Sequence, residues 1–132
     1  LFASSAAVYG QNGEGTAIDE DTPKAPLTPY AADKLASEHY LDFYRRQHGL
    51  EPAIFRFFNI FGPRQDPSSP YSGVISIFAE RALAGLPISV THGEARAGDI
   101  RHSRADNRRL LARFVFPEPT PLRDGLARLL GR

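Results

Sequence analysis

The start of one helix constrains the fold of this chain more than any other feature of its sequence. Thr28 suits the N-cap of a helix, and Pro29 suits the first helical position, where its missing N–H is not needed. The pattern predicts a helix over 30–47 that is closed by a glycine. Side chains four residues apart lie on one helical face. Tyr30 and Lys34 are therefore predicted to be neighbours, one turn apart, where the helix begins.

The Tyr30–Lys34 pair has the chemistry of a proton carrier. A phenol alone is a poor base at neutral pH, because its reference pKa is about 10. A lysine ammonium held close stabilises the phenolate, so such a pair can take a proton from a hydroxyl group and later return it. Many helices carry the same spacing by chance. The pair therefore needs support from other parts of the chain.

Two apolar segments predict neighbouring strands of a parallel sheet. Residues 1–5 read as the end of a buried strand that closes with Ser4 and Ser5, and residues 52–58 read as the next strand. Asn59 follows directly. Open α/β sheets carry their chemistry at the carboxyl ends of such strands. Two serines can also simply close a strand, and an asparagine can be a turn residue that binds its own backbone.

Three motifs, in order along the chain, carry a resemblance to a known family. They are the serines at the end of the first strand, the Tyr-x-x-x-Lys helix, and the run Arg-Phe-Phe-Asn-Ile-Phe-Gly-Pro-Arg at 56–64. At these residues the chain resembles the extended short-chain dehydrogenase/reductase superfamily. Within it, the chain is most similar to the NAD-dependent epimerase/dehydratase family and its UDP-glucose 4-epimerases. The match runs from residue 1 to about residue 87 and resumes near residue 96.

The resemblance implies a fold and a division of labour. The fold is α/β, part of a Rossmann-like doubly wound parallel sheet plus remnants of a smaller C-terminal substrate domain. Residues 1–62 would belong to the NAD-binding domain and residues 63–132 to the nucleotide-sugar region. Tyr30 would remove the proton of the sugar 4-hydroxyl, and Ser5 would help that proton to move. Lys34 would favour the ionised phenol and bind the nicotinamide ribose.

The resemblance also implies which residues touch each ligand. The residues that would contact NAD are Ser4, Ser5, Tyr30, Lys34 and Phe58. The residues that would contact the UDP-sugar are Ser5, Tyr30, Asn59, Gly73, Val74, Arg96 and Asp99. The implied reaction is epimerisation at C4 of UDP-glucose and UDP-galactose through a transient 4-keto sugar. Related 4,6-dehydratases carry an acidic pair where this chain has Ala6-Ala7, which favours epimerisation over dehydration.

The chain departs from the family pattern in two places. The dinucleotide fingerprint Gly-x-x-Gly-x-x-Gly is absent among the 11 glycines, and the sequence has no methionine. Family members also have a longer segment where this chain has 92–95. We therefore expect a fragment that lacks the N-terminal half, with most of the NAD site, and an internal segment. An inactive fragment is one alternative to an epimerase, and a related nucleotide-sugar reductase or decarboxylase is another.

Composition excludes several classes of partner and site. Lysine and arginine number 16 against 15 acidic residues, so no strong field favours nucleic acid or membrane binding. The chain has no cysteine, and its four histidines lack the spacing of metal ligands, so we expect no metal site. The absence of cysteine also fits a cytoplasmic location. By resemblance, the helix that begins at Tyr30 is expected to contribute to a homodimer.

The remaining patterns predict further elements and structural charges. Residues 73–84 predict an amphipathic helix, residues 88–90 predict a strand, and short helices are predicted after Asp106 and after Pro121. Arg56 interrupts an apolar strand and is predicted to be a structural ion-pair partner rather than a catalytic group. The acidic run before Thr22 and the arginines of the helix after Asp106 are predicted to lie on solvated surfaces.

Overall fold

A computed structural model describes residues 1–12, 15–66, 68, 73–94, 100 and 102–131 of the chain. The elements in chain order are strand β1 (Phe2–Ser5), a 3₁₀ helix (Ala6–Tyr9), helix α1 (Pro29–His48), strand β2 (Ile54–Phe57), and helices α2 (Val74–Leu83), α3 (Arg108–Arg113) and α4 (Leu122–Leu129). The chain divides into two compact units. One holds the described residues of Leu1–Phe58 and Ala95–Arg113, and the other holds those of Asn59–Glu94 and Phe114–Arg132.

A parallel strand pair organises the first unit. Strands β1 and β2 pair in parallel, with Phe2 opposite Ile54 and Ser5 opposite Phe57. Parallel neighbours need a crossover connection, and helix α1 supplies it. Both predicted strands are confirmed. Strand β1 is one residue shorter than predicted, and strand β2 is three residues shorter. The observed strand–helix–strand unit confirms the predicted α/β class.

Helix α1 begins and ends as its sequence predicts. The Thr28 hydroxyl accepts a hydrogen bond from the amide of Ala31 at 3.2 Å, and Pro29 occupies the first turn. At the other end, Gly49 adopts a left-handed conformation with φ of 67°. Local chemistry at both ends is sufficient to set the bounds of this helix.

Among the described residues, none of the helices combines the length and apolarity that spanning a membrane requires.

A small apolar core lies beneath the end of β1. Val8, Tyr9 and Ile18 are buried together, and Leu35 and Phe58 pack against them from helix α1 and from the end of β2. The connection between the 3₁₀ helix and α1 passes back over this core, because the Ala25 amide donates to the Val8 carbonyl at 2.9 Å. Within the same connection, Ile18 exchanges backbone hydrogen bonds with Arg104 and Asp106.

Gly10 is the residue at which the chain turns back over the core, and alanine should not be tolerated there. Gly10 has a φ of +60°, and an added Cβ would lie 2.0 Å from the carbonyl oxygen of Ala25. We expect Gly10→Ala to lower the free energy of unfolding by about 3 kcal/mol, through left-handed strain plus overpacking. Gly49→Ala is the matched control, because Gly49 has a similar φ and open space around it. It should cost only about 1–2 kcal/mol. Urea unfolding of both variants measures the difference, and equal losses would contradict the steric argument.

The second unit contains one correct helix prediction and one wrong strand prediction. Helix α2 is confirmed within one residue at each end, and Gly85 follows it with a φ of 66°. The predicted strand at 88–90 is wrong, because these residues have no strand structure and Ile88 and Val90 are exposed. A β-strand forms only against a partner that completes its hydrogen-bond ladder, and no described strand pairs with this segment.

Candidate functional site

The two serines at the end of β1 have different surroundings. Successive side chains of a strand point to opposite faces. The Ser4 side chain is 4% exposed, and its hydroxyl donates to Oε1 of Glu38 at 2.5 Å. The Ser5 hydroxyl oxygen instead accepts from the amide of Ala7 at 3.1 Å and caps the 3₁₀ helix. Because this bond uses only the oxygen of Ser5, the hydroxyl hydrogen remains a donor.

Lys34 joins helix α1 to strand β1 at the same end of the sheet. Its Nζ donates to the carbonyl oxygen of Ala3 at 2.9 Å, two residues before Ser5. The ammonium lies 5.2 Å from the centre of the Phe2 ring and 5.7 Å from the centre of the Tyr30 ring, within the range of cation–π attraction. An ammonium has three donors, so the bond to Ala3 positions Lys34 and leaves donors for a ligand.

Tyr30 lies in the first turn of α1 and is 51% exposed. The structure therefore confirms that Tyr30 and Lys34 are neighbours. It also adds that the lysine is bonded to the strand that ends in Ser5. A phenol, an ammonium and a hydroxyl donor are thus supplied by one helix start and one strand end. These are groups that can bind the hydroxyls of a ribose or a sugar and transfer a proton to or from one of them.

The other predicted contact residues are distributed over both units. Phe58 is half-buried against the core directly after β2. Asn59 and Gly73 are exposed, and Val74 is the exposed first residue of helix α2. These three belong to the second unit. The two predicted substrate contacts nearest the C-terminus, Arg96 and Asp99, lie outside the described residues.

A buried ion pair lies behind the strand end, and sequence reasoning identified only half of it. Arg56 on β2 is a structural ion-pair partner, as predicted, and its partner is Glu38 on α1. The contact is bidentate, with Nη2 2.6 Å from Oε2 and Nε 2.9 Å from Oε1. The Glu38 side chain is 7% exposed and that of Arg56 is 21% exposed. The sequence signal that could have identified Glu38 was its helical position. Glu38 lies one turn after Lys34 and two turns after the buried Ala31.

Arg56 extends this pair into a network that reaches the 3₁₀ helix. Its Nη1 donates to the Tyr9 hydroxyl at 2.8 Å and to the carbonyl oxygen of Glu20 at 3.2 Å. Ser4 donates to the other partner, Glu38. We call Ser4, Tyr9, Glu38 and Arg56 the Glu38 network. It links β1, the 3₁₀ helix, α1 and β2 through side-chain hydrogen bonds.

The charges of the Glu38 network stabilise one another. Burial would raise the pKa of Glu38, but hydrogen bonds from Arg56 and Ser4 outweigh it and hold that pKa below its ordinary value. The hydrogen bonds to Glu38 raise the pKa of Arg56. Burial raises the pKa of Tyr9, so its phenol stays neutral and accepts from the guanidinium. The network is therefore a carboxylate–guanidinium pair flanked by two neutral hydroxyls.

The acidic segment before Thr22 is more structured than predicted. Asp19 accepts hydrogen bonds from the Thr22 amide at 2.8 Å and from its hydroxyl at 2.9 Å, which closes a turn. Asp21 forms an ion pair with Arg109 of helix α3. Both partners are exposed, so the pair contributes little stability on its own. The prediction of solvated faces is correct for Asp21 and Arg109, but Asp19 and Glu20 are half-buried, and the prediction missed this pairing.

A protein-family model matches most of the chain. The model of the NAD dependent epimerase/dehydratase family matches residues 1–104. The chain belongs to this family. The match covers the strand end, the Tyr30–Lys34 helix start and the 56–64 run, which are the segments that carry the predicted resemblance. The cofactor of the family is NAD.

Curated relatives match about two thirds of this chain. The UDP-glucose 4-epimerase of Mycolicibacterium smegmatis is 42% identical over 83 residues, which are 63% of this chain and 26% of the relative. That of Azospirillum brasilense is 45% identical over 89 residues, 64% of this chain and 25% of the relative. A dTDP-glucose 4,6-dehydratase of Xanthomonas campestris is 36% identical over 90 residues, 68% of this chain and 24% of the relative. The chain spans about a quarter of the length of these relatives.

Solved structures show the same relationship. The UDP-glucose 4-epimerase of Thermus thermophilus, solved in complex with NAD, is 49% identical over 66% of this chain and 28% of its own, with a TM-score of 0.59. The UDP-N-acetylglucosamine 4-epimerase of Methanobrevibacter ruminantium, solved with UDP-N-acetylmuramic acid, is 25% identical. It aligns with 98% of this chain and 61% of its own, with a TM-score of 0.80. These neighbours confirm the Rossmann-like fold class.

Proposed function

We propose that the protein carrying this chain catalyses the NAD-dependent epimerisation of a UDP-sugar at C4, with UDP-glucose and UDP-galactose as the substrate pair. The observation that carries the proposal is the hydrogen bond from Lys34 to the Ala3 carbonyl. It holds the Tyr30–Lys34 pair against the strand that ends in Ser5. The UDP-glucose 4-epimerases among the relatives support the choice of sugar.

Each residue of the site has a distinct role in this proposal. NAD, when bound, would supply a reversible acceptor for the hydride of the sugar carbon. Tyr30 removes the proton of the sugar 4-hydroxyl and later gives it back. The Ser5 hydroxyl donates to the reacting oxygen. The Lys34 ammonium stabilises the Tyr30 phenolate by its charge and binds the ribose hydroxyls with the donors that Ala3 does not use.

The remaining contacts complete the proposal. Residues 1–62 would contribute to the NAD side of the site and residues 63–132 to the nucleotide-sugar side. The contacts to NAD are Ser5, Tyr30, Lys34 and Phe58, and the contacts to the UDP-sugar are Ser5, Tyr30, Asn59, Gly73, Val74, Arg96 and Asp99. We do not include Ser4, because its hydroxyl is buried and bound to Glu38. We also propose a cytoplasmic location for the protein.

A homodimer formed through helix α1 is also proposed. Tyr40, Phe43 and Tyr44 are exposed on this helix, and together they present an aromatic surface. The rings of Phe43 and Tyr44 lie 5.4 Å apart in an edge-to-face arrangement. Large apolar surfaces of this kind favour association with a partner.

A related dehydratase is the second candidate, because dehydratases occur among the relatives. Epimerisation is favoured by the residues that follow Ser5. Ala6 and Ala7 begin the 3₁₀ helix there and provide no acid that could eliminate water. A reductase or decarboxylase of the same superfamily would share Tyr30 and Lys34, but it would consume a reduced nicotinamide or release carbon dioxide. An inactive fragment is the remaining alternative for the 132-residue chain by itself.

An assay of the protein expressed from its complete reading frame tests the proposal. Incubated with UDP-galactose and catalytic NAD, it should form UDP-glucose with no net NADH, because the hydride returns to the same carbon. Chromatography of the sugar nucleotides and NADH fluorescence measure the two quantities. Stoichiometric NADH, or a dehydrated 4-keto sugar as the product, would overturn it. The 132-residue chain, assayed beside it, should bind NAD weakly and be inactive; tight stoichiometric binding of NAD would contradict that expectation.

A further inference from the structure

We infer that Ser4 and Glu38 are positioning residues, which hold the end of β1 so that Ser5 meets the reacting hydroxyl in the correct orientation. This inference rests on the proposed function. Neither side chain is placed to reach a ligand, since both are buried and bonded to each other. Ser4 lies one residue before Ser5, and Glu38 lies one helical turn after Lys34. Ser5 and Lys34 are the groups assigned to the chemistry.

The Ser5 side chain has few local restraints of its own. Among the described residues, its hydroxyl has one hydrogen bond, which it accepts from the Ala7 amide. That bond fixes the start of the 3₁₀ helix relative to Ser5, and the pairing with Phe57 holds Ser5 to β2, but neither contact reaches helix α1. An adjacent anchor is needed to fix the pair relative to helix α1.

Ser4 provides this anchor. Its hydroxyl reaches from strand β1 to Glu38 on helix α1, and the contact of 2.5 Å lies in the range of a charge-assisted hydrogen bond between a hydroxyl and a carboxylate oxygen. Lys34 makes a second link between the same two elements one helical turn earlier, through the Ala3 carbonyl. Two consecutive strand residues, Ala3 and Ser4, are therefore bonded to two consecutive turns of the helix that carries Tyr30.

Glu38 is itself held from two sides. The bidentate contact with Arg56 fixes the carboxylate plane. Arg56 in turn binds the hydroxyl of Tyr9, the last residue of the 3₁₀ helix that Ser5 caps. The Glu38 network thus restrains the segment around Ser5 at both of its ends, through Ser4 and through Tyr9. Groups locked by such outer contacts keep the geometry that a proton transfer requires.

Ser4→Ala tests this inference, because it removes the anchor and leaves the Glu38–Arg56 pair intact. In the protein expressed from its complete reading frame, we expect kcat to fall by about 10- to 100-fold through misplacement of Ser5. The KM for the UDP-sugar and the affinity for NAD should remain unchanged, since Ser4 touches neither. Ser37→Ala is the matched control. It removes a serine hydroxyl bonded to a backbone carbonyl on the surface of α1, and it should leave kcat unchanged.

Amide hydrogen exchange provides a second readout that does not depend on activity. In Ser4→Ala, the Ala7 amide, which is bonded to Ser5, should exchange about tenfold faster, while exchange in Ser37→Ala should match the wild type. An unchanged kcat in Ser4→Ala, or a weaker affinity for NAD with kcat retained, would overturn the inference. If the wild type has no epimerase activity, the proposed function fails, and exchange at Ala7 still decides whether Ser4 holds the strand end.

Discussion

Replacing Tyr30 by phenylalanine is expected to lower kcat for epimerisation by about 10²- to 10⁴-fold, the usual contribution of a positioned proton carrier. The substitution removes only the phenolic hydroxyl. The ring that faces the Lys34 ammonium at 5.7 Å is retained, as is the bond from Lys34 to Ala3. The affinity for NAD and the stability of the fold should therefore change little. Initial rates of UDP-glucose formation and NAD titration measure the two effects separately.

Tyr40→Phe is the control for this prediction. Tyr40 lies on the same helix and is 68% exposed, away from the strand end. It loses the same hydroxyl, and kcat should stay at the wild-type level. If Tyr30→Phe retains activity within about threefold of the wild type, the loss of transition-state stabilisation is negligible and another group must carry the proton.

Replacing Glu38 by glutamine is expected to cause a loss of stability as large as that of Gly10→Ala in the same unit. It leaves the Arg56 guanidinium largely buried and without its carboxylate partner. Removing one member of a buried pair typically costs about 3–5 kcal/mol, and we expect about 3 kcal/mol because Arg56 keeps some contact with water. Urea unfolding measures the loss. Asp42→Asn breaks the exposed pairs with Arg45 and Arg46 on the same helix, and it should cost less than about 1 kcal/mol.

The dependence of this loss on pH provides a further check. The pKa of folded Glu38 lies below its ordinary value of 4.5, because hydrogen bonds from Arg56 and Ser4 outweigh the effect of burial. A carboxylate whose pKa is lowered by folding stabilises the native state above its unfolded pKa, and this contribution is lost as the pH falls through the folded pKa. The difference in unfolding free energy between wild type and Glu38→Gln should therefore be full at neutral pH and shrink below about pH 4.5. A difference that stays constant down to the acid limit would contradict the role of the charge.

Sequence alone was sufficient where the physical cause is local. The bounds of helix α1 follow from a side-chain cap at Thr28 and a left-handed Gly49, which act within a few residues of each helix end. The proximity of Tyr30 and Lys34 follows from helical spacing. The parallel pairing of β1 and β2 follows from two apolar runs separated by one helix.

Sequence was insufficient where the outcome depends on a distant partner. The residues 88–90 have the composition of a strand, but no described strand provides a hydrogen-bond ladder for them, so the prediction failed. Arg109 was predicted on a solvated face, but the fold places Asp21 beside it across 88 residues of chain. The composition of a segment shows which secondary structure it can form. Only the packing of other segments determines whether that structure forms.

The region around the Glu38 network contains features of both kinds, some set by local sequence and some by distant partners. Sequence by itself determined the helix start, the Tyr30–Lys34 pair, the serines that close β1, and the structural role of Arg56. Only the tertiary structure decided that Lys34 binds Ala3 and that Glu38 receives both Ser4 and Arg56. The physical reason is that a buried charge or hydroxyl must find a partner, and the identity of that partner depends on which elements pack together. The orientation of the candidate site is set by these long-range bonds.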